Sequence, residues 1–176
     1  MRPKGRCNVH SEIEFETMAH PDAAELVKFY ERQNHRTTHS LDKLRRMLDN
    51  TFCCVTARRN GELIGFARGV TDGLWGRLAE CKLDPTYQGP ACVTRTDGRI
   101  EHDSEGIARE MARRVLSALR RFGVERVDAL AHGTEVDFCG ELGFRKLAGV
   151  EAMELAGDAL ERAAETAEPQ AASQAD

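Results

Sequence analysis

Apolar and polar residues along the chain follow two spacings, and the alternation between the two predicts an α/β protein. Alternating or continuous apolar residues, the spacing of a β-strand, occur over 12–18, 52–58, 63–70, 78–83 and 124–130. Apolar residues three or four positions apart, the spacing of one helix face, occur over 20–33, 40–48, 106–122 and 135–142. A final strand or bent hairpin is predicted over 144–155.

Turn and cap residues support these assignments. Asn60-Gly61 between two apolar runs is typical of a tight β-hairpin. Ser40 is a favourable N-cap for the second helix. Gly123 suits the left-handed position that follows a helix, and it comes directly after the third one. The limits of the elements are therefore marked by residues whose conformational preferences agree with the hydrophobic pattern.

Composition indicates a globular domain and argues against two classes of partner. The chain has 176 residues, of which 41% are hydrophobic and 31% charged, which is enough for one domain with a sizeable core. A formal net charge of −4 argues against a general nucleic-acid binder, and no apolar run reaches the ~18 residues that a membrane helix needs. We expect one domain over 12–156, a flexible segment over 1–11 and an acidic, alanine-rich tail over 157–176.

The six cysteines form no C-x-x-C pair and match no zinc-binding spacing, so no metal site is predicted. No signal peptide is expected either, because no apolar stretch follows the basic residues at the start of the chain. Reduced thiols without a leader are typical of a cytoplasmic protein, which is the location that we expect.

The segment 78–111 combines a strand, a turn that contains glycine, and the first turn of a helix at Gly106. The first amides of a helix have no partner within the helix, and the helix dipole favours negative charge there. Glycine lets a phosphate approach the backbone without a Cβ in the way. This arrangement predicts a phosphorylated cofactor at the start of the helix.

Three motifs give this part of the chain a family resemblance: Leu83-Asp84-Pro85-Thr86-Tyr87-Gln88-Gly89, Gly106-Ile107-Ala108, and Phe138-Cys139-Gly140-Glu141-Leu142-Gly143-Phe144. Over 52–155 the chain resembles the GNAT superfamily of acyl-CoA-dependent N-acetyltransferases, and its motifs are most similar to those of bacterial and plastid-type amine or lysine acetyltransferases. The resemblance implies an α/β GNAT fold, in which a mixed, mostly antiparallel sheet is splayed after the central strand and carries helices on both faces.

Two features depart from the family pattern. In the family the glutamine lies close before the glycine of the helix start, whereas 18 positions separate Gln88 from Gly106 here, so a segment over 90–105 is inserted. β-Branched residues on both sides of Asp97-Gly98 predict that the insertion is a projecting hairpin, either an exposed flap or a contact in a homodimer. The family tyrosine near the end of the domain is replaced by Cys139.

The resemblance implies that acetyl-CoA, the acetyl donor, binds along two stretches of backbone. Amides of the central strand would donate to the thioester oxygen, at Cys81, Lys82 and Leu83. The pyrophosphate would lie on the turn and the helix start, at Gln88, Gly89, Gly106, Ile107, Ala108 and Arg109. Three acids precede this helix, Glu101, Asp103 and Glu105, and they would repel phosphate if they point inward. Alternatively, Asp103 or Ser104 would cap the helix, and the acids would be favourable at its positive end.

Three side chains are candidates for proton transfer, and each has an alternative structural role. Glu80 on the central strand would be the general base, or else would pair with an arginine such as Arg68. His132 would be a second candidate base, or a loop histidine without a catalytic role. Cys139 would protonate the departing thiolate in place of the family tyrosine, or would be a small buried apolar residue.

The sequence therefore predicts an N-acetyltransferase in which a primary amine attacks acetyl-CoA directly. The acceptor is either a small molecule or an amine of a protein, and in the family the first two helices form one wall of the acceptor pocket. The insertion and the missing tyrosine leave one alternative open, a non-catalytic GNAT-like binding or regulatory module with an altered cofactor loop.

Overall fold

The computed structural model describes residues 13–33, 40–89 and 99–167. Its contacts divide the chain into two compact units, Met1–Arg145 and Lys146–Asp176. The first unit contains the sheet and the helices that surround the candidate site, and it is described first.

Five strands form one mixed sheet: β1 (Ile13–Thr17), β2 (Cys53–Arg59), β3 (Glu62–Thr71), β4 (Trp75–Leu83) and β5 (Arg126–Ala129). The strands lie side by side in chain order. The first three pairings are antiparallel, and the pairing of β4 with β5 is parallel. The α/β class and the mostly antiparallel mixed sheet predicted from the sequence are confirmed.

The two helices that precede β2 in the chain cover one face of the sheet. They are α1 (Ala23–Arg32) and α2 (Leu41–Asp49). Their apolar faces bury Leu26, Phe29 and Leu44 in a cluster with side chains of β2 and β3. The spacing of apolar residues in the sequence therefore predicted a buried face for each helix, although Leu41 at the start of α2 is 41% exposed.

A longer helix covers the opposite face. This helix, α3 (Ile107–Phe122), packs Met111 and Val115 against the sheet. It lies close to β3 because Gly65 has no side chain: a Cβ there would lie 2.7 Å from the Cε atom of Met111. Helices therefore cover both faces, as predicted, and the glycine in β3 sets how near one of them comes.

The hairpin and cap residues adopt the predicted conformations. Asn60 and Gly61 join β2 to β3 with positive φ angles of 52° and 79°. The Oγ atom of Ser40 accepts the N–H of Lys43 at 3.3 Å at the start of α2. Gly123 ends α3 in the left-handed region, with a φ of 103°. These local signals were sufficient to place the turns because each conformation depends on only a few neighbouring residues.

The sheet opens half-way along β4. The last residue pair between β4 and β5 is Leu78 with Ala129, although β4 continues to residue 83. Ala79 has no residue opposite it on β3, because the register between β3 and β4 shifts there. Beyond Leu78 the two strands separate, and a short helix, α4 (Glu135–Glu141), follows β5. The predicted splay after the central strand is confirmed.

One predicted element is absent. Residues 144–155 form no strand in the described chain, and Gly149 adopts a left-handed φ of 73°. The prediction was wrong because the stretch is rich in alanine and glutamate, which are weak strand formers, and has few β-branched or aromatic residues. In the second unit, α5 (Asp158–Ala167) lies within the stretch expected to be a tail, and residues 168–176 lie outside the described residues.

The inserted segment is described only in part. Residues 90–98, with the expected turn at Asp97-Gly98, lie outside the described residues. Residues 99–105 form no strand, because the backbone N–H groups of Glu101 and His102 donate to the side chain of Gln88 instead of to a partner strand. None of the helices described has the length and hydropathy that a membrane span requires.

Candidate active site

A pocket of about 260 Å³ lies in the gap between the separating ends of β4 and β5. We call it the splay pocket, and it is lined by Leu78, Ala79, Glu80, Cys81, Lys82, Arg99, Ala129, Leu130, His132, Glu135, Phe138 and Cys139. All three candidates for proton transfer, Glu80, His132 and Cys139, are among these residues. The fold therefore brings Glu80 of β4 together with His132 and Cys139, which lie more than fifty positions later in the sequence.

Glu80 is held at the wall of the splay pocket by two donors. The hydroxyl group of Tyr30 on α1 donates to Oε1 at 2.8 Å, and Nε of Arg68 on β3 donates to Oε2 at 3.1 Å. Only 11% of the Glu80 side chain is exposed, so these donors largely replace water around the carboxylate. The expected pairing with Arg68 is present, and the same carboxylate lines the pocket, so the two roles considered for Glu80 do not exclude each other.

Tyr30 was not identified from the sequence as part of the site. It is 4% exposed and belongs to the apolar face of α1, where it resembles any other core residue. Burial and then the nearby Glu80 carboxylate raise the pKa of Tyr30 far above its ordinary value, so the phenol keeps its proton and remains a donor. The signal available in the sequence was a single hydroxyl group on an otherwise apolar helix face.

Two thiols of the splay pocket are held in the protonated form. Burial, and to a smaller extent Glu135, raises the pKa of the Cys139 thiol above its ordinary value. Burial also raises the pKa of Cys81, whose Sγ atom lies 3.6 Å from the carbonyl oxygen of Ala108. Near neutral pH both groups are therefore thiols, a form that can donate a proton but is a poor nucleophile.

His132 enters the splay pocket from the loop between β5 and α4, and its side chain is exposed. Its backbone N–H donates to Oε2 of Glu135 at 3.1 Å, and its carbonyl oxygen accepts the N–H of Glu135 at 3.1 Å. These two bonds start α4 and fix the backbone of His132 rather than its ring. A catalytic role for the ring stays a prediction.

A second pocket, of about 590 Å³, lies at the start of α3. We call it the helix-start pocket, and it is lined by Gln88, Gly89, Ile100, Glu101, His102, Asp103, Ser104, Arg109, Thr134, Asp137, Phe138 and Glu141. Phe138 lines both pockets, so they are neighbours. Gly106 has a left-handed φ of 73°, and no atom beyond its chain neighbours lies within 4 Å of the position that a Cβ would take. The backbone at the helix start is therefore accessible.

The amides at the start of α3 already hold a carboxylate. Oδ1 of Asp103 accepts the N–H of Ala108 at 3.0 Å, and Oδ2 accepts the N–H of Arg109 at 2.9 Å. The guanidinium group of Arg109 bonds to Glu141 of α4. Of the two roles expected for the acids before this helix, Asp103 therefore takes the capping role.

The side chain of Gln88 joins the two ends of the inserted segment. It is 1% exposed, and its Nε2 atom donates to the carbonyl oxygens of Leu83 and Arg99, both at 2.9 Å. Its Oε1 atom accepts the N–H groups of Glu101 and His102 at 2.8 and 3.2 Å. Both donor and both acceptor positions of the side-chain amide are used. The side chain of Gln88 therefore has a structural role, and only backbone atoms of Gln88 could contact a ligand.

No family model matches the sequence, and no curated protein matches it. In structure, 117 solved chains match the fold. A GNAT-family acetyltransferase from Streptococcus pneumoniae TIGR4 has a TM-score of 0.65 and 16% identity, covering 83% of this chain and 98% of its own. An aminoglycoside N-acetyltransferase in complex with CoA has a TM-score of 0.60 and 14% identity, covering 88% and 98%. A metagenomic aminoglycoside acetyltransferase in complex with sisomicin has a TM-score of 0.59 and 14% identity, covering 82% and 97%.

The protein has the GNAT fold. Its mixed five-stranded sheet with helices on both faces is shared with these neighbours, so the resemblance seen in the sequence motifs is confirmed at the level of the fold. The GNAT fold accounts for the splay pocket, because the separation of β4 from β5 belongs to the architecture rather than to any one side chain.

The residues expected to contact acetyl-CoA in this GNAT domain occupy three kinds of position. Cys81 and Lys82 line the splay pocket. The helix-start pocket contains Gln88, Gly89 and Arg109. The side chains of Leu83, Ile107 and Ala108 are buried, so only the backbone of these residues could reach a ligand. That these residues contact a cofactor through their amides stays a prediction.

The charge of the helix-start pocket opposes a phosphate ligand. Four carboxylates line it, those of Glu101, Asp103, Asp137 and Glu141. The permanently charged cation among its lining residues is Arg109, which already bonds to Glu141. A phosphate that enters this pocket therefore meets a negative field, and it competes with Asp103 for the two amides.

Proposed function

We propose that this protein is an N-acetyltransferase that transfers an acetyl group from acetyl-CoA to a primary amine. The observation that carries the proposal is the convergence of Glu80, His132 and Cys139 on the gap between β4 and β5. Each of these groups suits proton transfer, and their meeting in one pocket is what an aminolysis reaction requires.

Acetyl-CoA would supply a thioester, which an amine can attack at its carbonyl carbon. Only a neutral amine has the lone pair needed to attack, so the amine must lose a proton, and Glu80 would accept it. The new bond would join the amine nitrogen to the carbonyl carbon, and the bond from that carbon to sulfur would break. Cys139 would then donate a proton to the departing sulfur, because its thiol is protonated near neutral pH.

The start of α3 fits an anionic group, with one condition. The amides of Ala108 and Arg109 hold a carboxylate at 3.0 and 2.9 Å, so their geometry is suitable for binding an oxygen anion. The carboxylate belongs to Asp103, and it would have to leave for the pyrophosphate of acetyl-CoA to take its place. Gly89 would add a backbone contact beside these amides, whereas the N–H groups of Gln88 and Gly106 already donate to the carbonyl oxygens of Pro85 and Asp103.

We infer that the acceptor is a small-molecule amine. The support is at the level of the fold: two structural neighbours are aminoglycoside acetyltransferases, and one of them holds sisomicin. The splay pocket presents the carboxylate of Glu80, which also attracts the cationic form of an amine before the proton is lost.

Isothermal titration of the full chain with acetyl-CoA tests the cofactor assignment. Binding in the micromolar range is the expected result, and no binding up to millimolar concentrations would overturn the proposal. A panel of primary amines, including aminoglycosides, diamines and lysine peptides, is then screened for release of free thiol. Release that depends on both the amine and the enzyme identifies the acceptor class.

A second candidate is a non-catalytic GNAT-like binding or regulatory module. The observation in its favour is the contact of Asp103 with the two amides, together with the acidic lining of the helix-start pocket. Failure of the native protein to bind acetyl-CoA, together with binding by an Asp103→Asn variant, would favour the module. Turnover of acetyl-CoA by the native protein would exclude it.

A further inference from the structure

The hydroxyl group of Tyr30 makes a contact that the proposed chemistry does not use. It lies 2.8 Å from Oε1 of Glu80, while the ring is buried in the apolar cluster between α1, α2 and the sheet. A phenylalanine would fill the same space without placing a polar group in an apolar region. Packing alone therefore does not account for the hydroxyl group.

The Glu80 carboxylate is held from two directions. Arg68 lies opposite Glu80 in the register between β3 and β4 and donates to Oε2, while Tyr30 reaches Oε1 from the helix layer above the sheet. Two donors on different elements fix both the direction and the plane of a carboxylate, whereas one donor leaves it free to rotate. Arg68 donates from a charged group, whereas Tyr30 is a neutral donor that orients the carboxylate without adding a positive charge beside it.

We infer that Tyr30 is a positioning residue that orients Glu80 so that a lone pair of its carboxylate faces the amine in the splay pocket. The inference rests on the proposed function, because Tyr30 would act only through Glu80. Tyr30 itself does not line the splay pocket or the helix-start pocket. It therefore touches neither reactant and is distinct from Cys139, which lies at the pocket wall.

The phenol is suited to this role because it does not change its protonation state. Burial and the neighbouring carboxylate raise its pKa far above the ordinary value for tyrosine, so the phenol stays protonated and remains a donor near neutral pH. The ring is also fixed by its surroundings, with Phe29 at a centroid distance of 5.9 Å. A donor on a rigid, buried ring holds its partner more firmly than a flexible surface side chain does.

A double-mutant cycle tests the inference, with the amine found in the panel as acceptor. Tyr30→Phe keeps the ring and removes the donor, and we expect kcat to fall about tenfold with the KM for acetyl-CoA unchanged, since one hydrogen bond to a charged group is lost. In a Glu80→Gln background, Tyr30→Phe should have no further effect on kcat, because the base that it orients is gone. A purely structural tyrosine would lower kcat by the same factor in both backgrounds.

The matched control is Leu48→Ala on α2, which removes apolar volume from the same cluster at a residue that lines neither pocket. It should lower the melting temperature and leave kcat within about twofold, since the lost contacts are those of packing alone. Melting curves of the native protein and the three variants of the cycle show that each is folded before its kinetics are compared.

The outcomes separate the two proposals. Turnover by the native protein together with unchanged kcat in Tyr30→Phe, or equal losses in both backgrounds, overturns the role of Tyr30 and leaves the acetyltransferase assignment intact. Absence of both acetyl-CoA binding and turnover in the native protein overturns the acetyltransferase assignment, and the role of Tyr30 falls with it.

Discussion

The splay pocket and the helix-start pocket lie on either side of Phe138, yet their polar groups are arranged in opposite ways. In the splay pocket the carboxylate of Glu80 is held by Tyr30 and Arg68 and still lines the pocket. In the helix-start pocket the donors are backbone amides, and the protein's own Asp103 already occupies them. In the splay pocket the Glu80 carboxylate therefore still lines the cavity. In the helix-start pocket the amides that could bind an anion are already bonded to Asp103.

Under the proposed function, the chemistry and the anchoring of acetyl-CoA would therefore depend on separate features of the chain. The chemistry would use side chains that the splay of the sheet brings together. The anchoring would use amides that every helix has, and would hence depend on what else is near enough to bind them. A substitution could therefore change catalysis without changing acetyl-CoA binding, or the reverse. Four experiments test this separation.

The largest effect is expected for the base of the splay pocket. Glu80→Gln should lower kcat by about 10²–10⁴ and leave acetyl-CoA binding unchanged, because only proton transfer is lost. Steady-state kinetics and titration calorimetry give the two quantities. The control is Asp128→Asn, since Asp128 is also paired with an arginine, Arg77 at 2.8 Å, but lies outside both pockets. Equal turnover in native protein and Glu80→Gln would remove the base from the mechanism.

A smaller loss is expected for the proposed proton donor. Cys139→Ala should lower kcat about tenfold, less than a typical general acid, because a thiolate is a comparatively good leaving group. Cys53→Ala is the matched control, since Cys53 is fully buried in the core and lines neither pocket. If both variants retain native kcat, Cys139 is a packing residue, and the splay pocket contains one proton-transfer group fewer.

For the helix-start pocket, the expected change is a gain of affinity. Asp103→Asn removes the charge that competes for the amides of Ala108 and Arg109, and the dissociation constant for acetyl-CoA should fall about three- to tenfold. The variant should also melt about 2–8 °C lower, because a charged helix cap is weakened. Asp137→Asn tests specificity, since that carboxylate lines the same pocket and should change affinity less. Weaker binding in Asp103→Asn would show that Asp103 helps the ligand instead of competing with it.

The smallest effect concerns stability at alkaline pH. Burial raises the pKa of Cys54 from 9.0 to about 12 in the folded protein. Between these values the unfolded chain binds fewer protons than the folded one, so the free energy of unfolding falls as pH rises, by at most ~1.4 kcal/mol per pH unit for this thiol. Denaturant titrations at pH 8 and pH 10 should show the loss, and Cys54→Ala should reduce it. An identical pH dependence in the variant would assign the alkaline loss to other groups.

Much of the fold followed from short stretches of sequence. The limits of α2, the hairpin at Asn60-Gly61 and the end of α3 at Gly123 were predicted closely, because each depends on a few adjacent residues. Residues 144–155 were predicted incorrectly because their pattern of apolar residues suits a strand while their composition does not.

At the site, the sequence identified Glu80, His132 and Cys139 as candidates, and the structure showed that they share a pocket. It did not identify Tyr30, because a tyrosine on the apolar face of a helix follows the same pattern as a core residue. It also left open whether the acids before α3 repel phosphate or cap the helix, since that depends on where a carboxylate points.

The sequence by itself therefore determined the order of the elements, the GNAT motifs and the identity of the groups available for chemistry. These properties are local, since they depend on periodicity, turn conformation and residue type. Only the tertiary structure decided that both Tyr30 and Arg68 donate to the carboxylate of Glu80. It also decided that the side chain of Gln88 bonds to the backbone around it, and that Asp103 accepts the first amides of α3. Each of these contacts depends on the direction of a side chain in a packed neighbourhood, and residue type and spacing along the chain do not specify that direction.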